Sequence, residues 1–357
     1  MSEKLAVVER KNTPTSTVGR GKAVTLATTP STDHWTDGSV TLSLGDSLGQ
    51  YQNWPAPNVI VSDGAYGILG FEGDTSDHLN LPSWYEPHIR AWSEHATGQT
   101  TLWFWNSEIG WAVVHPVLEH HGWRYVNANI WNKGKAHIAG NVNTAKIRRF
   151  PVVTEMCVQY VFEPRIDNHT LQHWLYREWK RTGLTMRRAN EACGVADVAV
   201  RKYLDQGHLW YFPPPEMFIK MAQYANEHGD PAGRPYFSRD GIRPMTQEEW
   251  AAMRSAFHCP MGVTNVWERN PLKGEERIRV PEISGKAAHL NQKPLDLMSM
   301  IIGASSDPGD VVWEPFGGLF SASLAAKLTG RRAFAGEVDS TYFQLGLNRF
   351  LMSPQLF

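Results

Sequence analysis

The chain has 357 residues, 42% hydrophobic and 20% charged, enough apolar material for a full core and a length that suits two domains or one domain with a large insertion. Its 35 basic and 36 acidic residues give a net charge of −1, which excludes a uniformly basic nucleic-acid binder and leaves room for a local basic surface. No run reaches the roughly 18 apolar residues of a membrane span, no secretory signal is expected, and the cysteines Cys157, Cys193 and Cys259 form no CxxC pair, which argues against a disulfide framework or a Cys-rich zinc site.

Residues 1–38 are expected to form a flexible tail, because Asn12 to Thr17 and Thr28 to Thr32 are polar, interrupted by proline and without apolar period. Val40 to Leu44 then alternates like a strand and ends in Gly45-Asp46. Asn58 to Asp63 is a short β-branched run of the kind found in buried parallel strands, and Thr100 to Asn106 repeats that form. A helix is expected from Glu108 to His121, and strands from Tyr125 to Trp131 and from Val152 to Phe162. Residues 164–285 change character, with short helix patterns, Pro213-Pro214-Pro215 and few strand-like runs. From Pro294 a helix runs to Ile302, a strand spans Val311 to Glu314, a helix Leu319 to Leu328, a strand Arg332 to Asp339, and a last helix Tyr342 to Met352. Alternating strands and helices predict an α/β sheet assembled from two pieces, 39–163 and 286–357, around a mainly helical insertion.

Several segments carry chemistry. Pro315-Phe316-Gly317-Gly318 follows a strand and opens a helix, where glycines let a ligand approach free backbone N–H groups. The next strand ends in Glu337-Val338-Asp339, about 20 residues on, where a carboxylate suits the hydroxyls of a ribose. Asp63-Gly64-Ala65-Tyr66 offers a carboxylate, a main-chain carbonyl and an aromatic ring at a strand end, although Asp-Gly also makes ordinary turns. Lys133, Lys135, Lys146, Arg148 and Arg149 form a basic stretch without an acid, readable as a phosphate contact or a plain solvated loop. Thr185 to Leu204 reads helix, glycine turn, helix, with Ala189, Ala192, Val195, Val200 and Leu204 inward and Arg187, Arg188, Arg201 and Lys202 outward. That form places a second helix in the DNA major groove, and it is also common in purely structural roles. His208, Trp210 and Tyr211 could form an aromatic anchor or a satellite core, and the core is the expected reading. The histidines lack ligand spacing, so no metal is expected.

The order of these segments resembles the DNA amino-methyltransferases of the β class. His289-Leu290-Asn291-Gln292-Lys293-Pro294 is similar to HPTQKP, Glu314 to Gly318 to the start of DPFxGxGT, and Gly330-Arg331-Arg332 followed by Gly336-Glu337-Val338-Asp339 to GRR and GxExD. Asp63 to Tyr66 falls where this family has [DNS]PP[YFW], and Gly45-Asp46 where it has its GD segment. The resemblance covers roughly 40–163 and 286–352 and implies a Rossmann-like methyltransferase sheet in circularly permuted motif order, with the insertion 164–285 as target-recognition region. It implies S-adenosyl-L-methionine, with Asp46 near its adenine, Asn291, Gln292 and Lys293 near its carboxylate, Glu314, Phe316, Gly317 and Gly318 beneath it, and Glu337 on its ribose. Asp63, Gly64 and Tyr66 would then act on the exocyclic amine of a flipped base, adenine N6 ahead of cytosine N4. Three departures stand out: Glu314 for aspartate, Gly64-Ala65 for the prolines, and Phe320 in place of the last glycine, where a less permissive turn is expected. The implied partner is double-stranded DNA, in a cytoplasmic bacterial or phage setting, with a cognate restriction endonuclease and a homodimer as further expectations. The alternatives are an N4-cytosine enzyme and a catalytically weak DNA-binding protein that keeps the fold.

Overall fold

The computed structural model describes residues 33–69, 74–134, 148–195, 199–231, 233–278 and 292–352. Along the first part lie β1 (His34–Thr36), β2 (Val40–Leu44), β3 (Val59–Ser62), α1 (Leu81–His95), β4 (Thr101–Asn106), α2 (Glu108–His120), β5 (Trp123–Asn132) and β6 (Thr154–Phe162). The middle holds β7 (Arg165–Ile166), β8 (His169–Thr170), α3 (Leu171–Arg181), α4 (Met186–Cys193), α5 (Ala199–Tyr203), α6 (Pro215–His228), α7 (Gln247–Ala251) and β9 (Val266–Glu268). The last part holds α8 (Leu295–Ser305), β10 (Val311–Glu314), α9 (Ser321–Leu328), β11 (Arg332–Glu337) and α10 (Ser340–Leu351).

The main sheet runs in the order β1-β2-β11-β10-β3-β4-β6-β5-β9. From β2 through β11, β10 and β3 to β4 all pairings are parallel, and β6 lies antiparallel between β4 and β5. β3, β4 and β10 are buried along their whole length, as their continuous apolar runs require when helices cover both faces. The chain leaves β10 toward β11 on one side and leaves β3 toward β4 on the other. The crevice beyond the ends of β3 and β10 is therefore the switch point where open α/β sheets bind ligands.

The sheet draws strands from outside the two expected pieces. β1, inside the stretch read as tail, pairs antiparallel with β2, and β9, inside the stretch read as insertion, pairs parallel with β5. α1 has no clear helical signature in the sequence, because Pro82 and Pro87 interrupt its pattern. Pro82 falls in the first turn, where its missing N–H costs nothing, and Leu81, Tyr85, His88, Ile89 and Trp92 still build one buried face.

The middle residues bury a separate apolar core around Trp174, Trp179, Phe218 and Trp250. In α4–α5, Gly194 closes α4 at φ +66°, and Ala189, Val200 and Leu204 are buried while Ala192 and Val195 are half-buried. Trp210 packs against that core, but Tyr211 is 53% exposed and His208 is exposed, so only one of the three residues expected in a satellite core is truly packed there.

Candidate active site

The switch-point crevice holds a cavity of about 640 Å³, and both pieces of the chain line it: Asp46, Asp63, Gly64 and Tyr66 from one, and Gln292, Lys293, Glu314, Phe316, Gly317, Gly318 and Glu337 from the other. Of the residues singled out for the cofactor and the reaction, only Asn291 lies outside the described residues.

At the β10 end, Glu314 is turned inward. Its carboxylate accepts from the Ala322 N–H (2.9 Å), the Ser323 N–H (2.7 Å) and the Ser323 hydroxyl (2.6 Å), and so caps α9 from the strand below. Burial lifts its pKa to about 7 against these donors. A group raised in the folded state adds stability that is complete below its unfolded value of 4.5 and is lost as pH rises through about 7. Wild-type melting temperature should therefore fall, relative to Glu314→Gln, when the pH is raised from about 5 to about 8; parallel melting curves would contradict this.

Phe320 holds the left-handed conformation that a glycine would take, at φ 55° and ψ 45°. The strain is held by packing, since the ring is fully buried and meets Phe343 edge-on at 5.8 Å. The turn thus keeps a glycine-like backbone despite the side chain. Arg349 braces it from α10 by donating to the Leu319 carbonyl and to Ser321 Oγ.

Glu337 is 8% exposed at the end of β11; burial raises its pKa. Oε2 accepts from the Gly318 N–H at 2.6 Å and Oε1 from the Asp339 N–H at 2.7 Å, which ties strand end to glycine turn and leaves each oxygen a further lone pair. Asp46, beyond β2, is exposed at the cavity wall and accepts from the Leu48 N–H at 2.9 Å. Its neighbour Ser47, which the sequence reading did not single out, donates to the Pro315 carbonyl at 2.6 Å and joins the two walls.

At the β3 end, Asp63 meets Lys293, whose Nζ lies 2.7 Å from both carboxylate oxygens and 2.8 Å from Glu155 Oε1. The Tyr66 hydroxyl reaches Asp63 Oδ1 at 2.9 Å and Glu155 Oε1 at 3.0 Å. Burial and the two carboxylates hold the Tyr66 pKa well above 10, so the phenol remains a donor. Burial alone would discharge Lys293, but Asp63 and Glu155 outweigh it and raise its pKa. Lys293 thus points its ammonium at Asp63, a different partner from the cofactor carboxylate that the resemblance implies. The loop backbone is pinned as well: Tyr85 and Asn106 donate to the Ala65 carbonyl at 3.0 and 2.9 Å, and Asp74 accepts from the N–H groups of Tyr66, Gly67 and Ile68. These bonds supply the stiffness that Gly64-Ala65 lacks.

Glu155 is the functional candidate that sequence reasoning missed; the signal was a lone acid in the apolar run of β6. Lys133, expected on phosphate, is bound to Glu155 at 2.8 Å and lies over the Trp131 ring at 4.6 Å, so its ammonium is engaged within the protein. Arg148 and Arg149 are exposed, and Lys135 and Lys146 lie outside the described residues. Arg187, Arg188, Arg201 and Lys202 are all exposed on α4 and α5, with Arg187 and Arg188 sharing Glu191 at 3.5 and 2.6 Å. Among the described residues no cluster of His, Cys, Asp and Glu is placed to hold a metal ion, and no helix is long and apolar enough to cross a membrane.

The fold is similar to that of the solved PvuII DNA methyltransferase (cytosine-N4-specific): TM-score 0.52 at 13% identity, covering 90% of this chain and 89% of that one, a likeness of fold alone. The chain belongs to the N6/N4 DNA methylase family, whose model matches residues 58–348. Among curated relatives it is similar to the DNA adenine methyltransferase YhdJ of Escherichia coli (strain K12), 44% identical over 61 residues, which is 17% of this chain and 21% of that protein. It is also similar to the type II methyltransferase M.HinfI of Haemophilus influenzae, 38% identical over 85 residues, 24% of this chain and 23% of that protein. The chain thus matches about a fifth of the length of each of these two relatives.

Proposed function

We propose that this chain is a DNA methyltransferase that modifies the exocyclic amine of a flipped base, adenine N6, within a specific duplex site. The observation that carries this reading is that Asp63 and the Glu314–Gly318 turn, far apart in sequence, line one cavity at the switch point. Asp63 in place of serine and the kinship to an enzyme named for adenine both favour adenine as acceptor.

The cavity fits S-adenosylmethionine. At about 640 Å³ it has the size of a small-molecule site, and its Glu337 carboxylate keeps lone pairs suited to ribose hydroxyls beside the glycine turn. Gly317, Gly318 and Phe316 would lie beneath the cofactor, Asp46 at its adenine and Gln292 at its amino-acid end. When bound, it supplies an electrophilic methyl group on a sulfonium. The chain's own residues orient the acceptor. Asp63 accepts one hydrogen of the amine and the Gly64 carbonyl the other, which directs the nitrogen lone pair into the cavity; the Asp63 carboxylate then takes the proton that the amine sheds. Tyr66 offers the base its ring while its hydroxyl holds Asp63 in place.

Residues 39–163 and 286–357 form the methyltransferase part in this reading, and 164–285 the target-recognition region. Arg187, Arg188, Arg201 and Lys202, with Arg148 and Arg149, are the proposed phosphate and groove contacts. Arg187→Ala combined with Arg201→Ala should weaken duplex binding and reduce the slope of log affinity against log salt by about 2. An unchanged slope in a salt titration would move recognition to another face. The type II relatives suggest a companion nuclease that cuts the same sequence, and self-association is a further expectation. Incubating the chain with duplex DNA and labelled cofactor, then analysing the nucleosides, tests the activity. N6-methyladenine is expected, N4-methylcytosine would change the acceptor, and no methylated nucleoside would overturn the proposal.

A further inference from the structure

Four charges alternate in sign in a chain of ion pairs that starts at the cavity: Asp63 and Lys293 line it, and Glu155 and Lys133 continue the chain outside that lining. Lys293, 4% exposed, joins Asp63 to Glu155, and Glu155, 15% exposed, is joined at its other oxygen to Lys133, whose Nζ lies 2.8 Å from Oε2. The Tyr66 hydroxyl lies within hydrogen-bond distance of both carboxylates and gives its one proton to either of them in turn. Two carboxylates and two ammoniums make the set neutral, the arrangement in which buried charges are tolerated.

We propose that Glu155 is a positioning residue for methyl transfer, acting on Asp63 through Lys293 and Tyr66; this rests on Asp63 being the acceptor of the amine. Its first effect is geometric. Glu155 Oε1 holds both Nζ and the phenol on one side of Asp63, so that the remaining carboxylate lone pairs are fixed in direction. Its second effect is electrostatic. An ammonium shared between two carboxylates draws less on Asp63 than one that has Asp63 alone, so Asp63 stays a strong acceptor for the amine. Lys133, whose side chain is 18% exposed, closes the set at its far end and keeps Glu155 charged: burial would raise the Glu155 pKa, but Lys293 and Lys133 hold it below the ordinary carboxylate range.

The test uses the full chain, unmethylated phage genomic DNA and tritiated S-adenosylmethionine, with Glu155→Gln, Lys133→Gln and the double variant compared with wild type. Glu155→Gln keeps the size and an oxygen but leaves the set with one surplus positive charge. It should lower kcat about tenfold or more while the KM for DNA and the calorimetric affinity for the cofactor stay within about threefold. Removing Lys133 as well restores neutrality, so the double variant should recover about threefold or more over Glu155→Gln, which a space-filling role would not produce. Should Glu155→Gln fail to fold, Lys133→Gln alone carries the test. It leaves a surplus negative charge that pulls Lys293 toward Glu155, so the ammonium no longer fixes the direction of the Asp63 lone pairs, and kcat should fall about threefold with KM unchanged. Full activity in Glu155→Gln, a double variant no better than Glu155→Gln, or full activity in Lys133→Gln when that variant stands alone overturns the proposal. A wild-type chain that incorporates no methyl overturns the activity itself, an outcome distinct from an active wild type whose Glu155 variants behave normally.

Discussion

Asp63→Ala is expected to reduce methyl incorporation by about a thousandfold while cofactor binding and the fold survive. Among the described residues that line the cavity, Asp63 is the carboxylate at the β3 end, and the proposed mechanism rests the direction of the amine on it. The fold survives because Lys293 retains Glu155 at 2.8 Å, so the buried ammonium is never left without a counter-charge. Asp63→Asn separates shape from charge: it keeps the volume and one carbonyl oxygen, and should remain at least about tenfold slower than wild type. Calorimetry with S-adenosylmethionine and thermal unfolding run beside the activity assay. An Asp63→Ala variant with wild-type turnover would remove Asp63 from the reaction.

The second large effect lies in the middle of the chain. Glu178 is a carboxylate with 4% of its side chain exposed, and it holds Arg181 at 2.7 Å, Arg234 at 2.9 Å and the Phe237 N–H at 2.8 Å. It joins α3 to the loop after α6 inside the separate core built by Trp174, Phe218 and Trp250. Glu178→Ala leaves Arg181 without its anion and the Phe237 amide without an acceptor, and leaves Arg234 only the more exposed Asp167 at 3.5 Å, at a cost of about 3–5 kcal/mol. Because that core is distinct from the sheet's, the loss should appear as an early unfolding transition that removes DNA binding, while cofactor affinity remains. A single transition that takes both binding activities together would contradict the division at residues 164–285.

Strands were legible where the sequence alternates or runs apolar, and hidden where they are short. β2, β3, β4 and β10 each carry several β-branched or aromatic residues, β11 a short apolar run around Phe334, and all five were readable within a residue or two. β1 and β9 have three residues each and exist because a longer neighbour offers an open edge, which no local pattern announces. α1 was obscured by prolines that the helix accommodates. In the site, glycines and carboxylates at strand ends could be read because the chemistry requires those residue types at those places. The partners of Lys293 and Lys133 could not, because which acid a lysine reaches depends on how β6 lies beside β4, a tertiary fact. Phe320 shows the reverse error: the residue type suggested a changed turn, and packing keeps the glycine-like backbone.

The central claim is that this cavity places a methyl group on a base amine in duplex DNA. Sequencing DNA from a bacterial host expressing the chain, with detection of modified bases, tests it most directly. The account predicts N6-methyladenine confined to one short recurring sequence and absent when Asp63→Ala is expressed instead. DNA with no modified base above that of the host alone would contradict it.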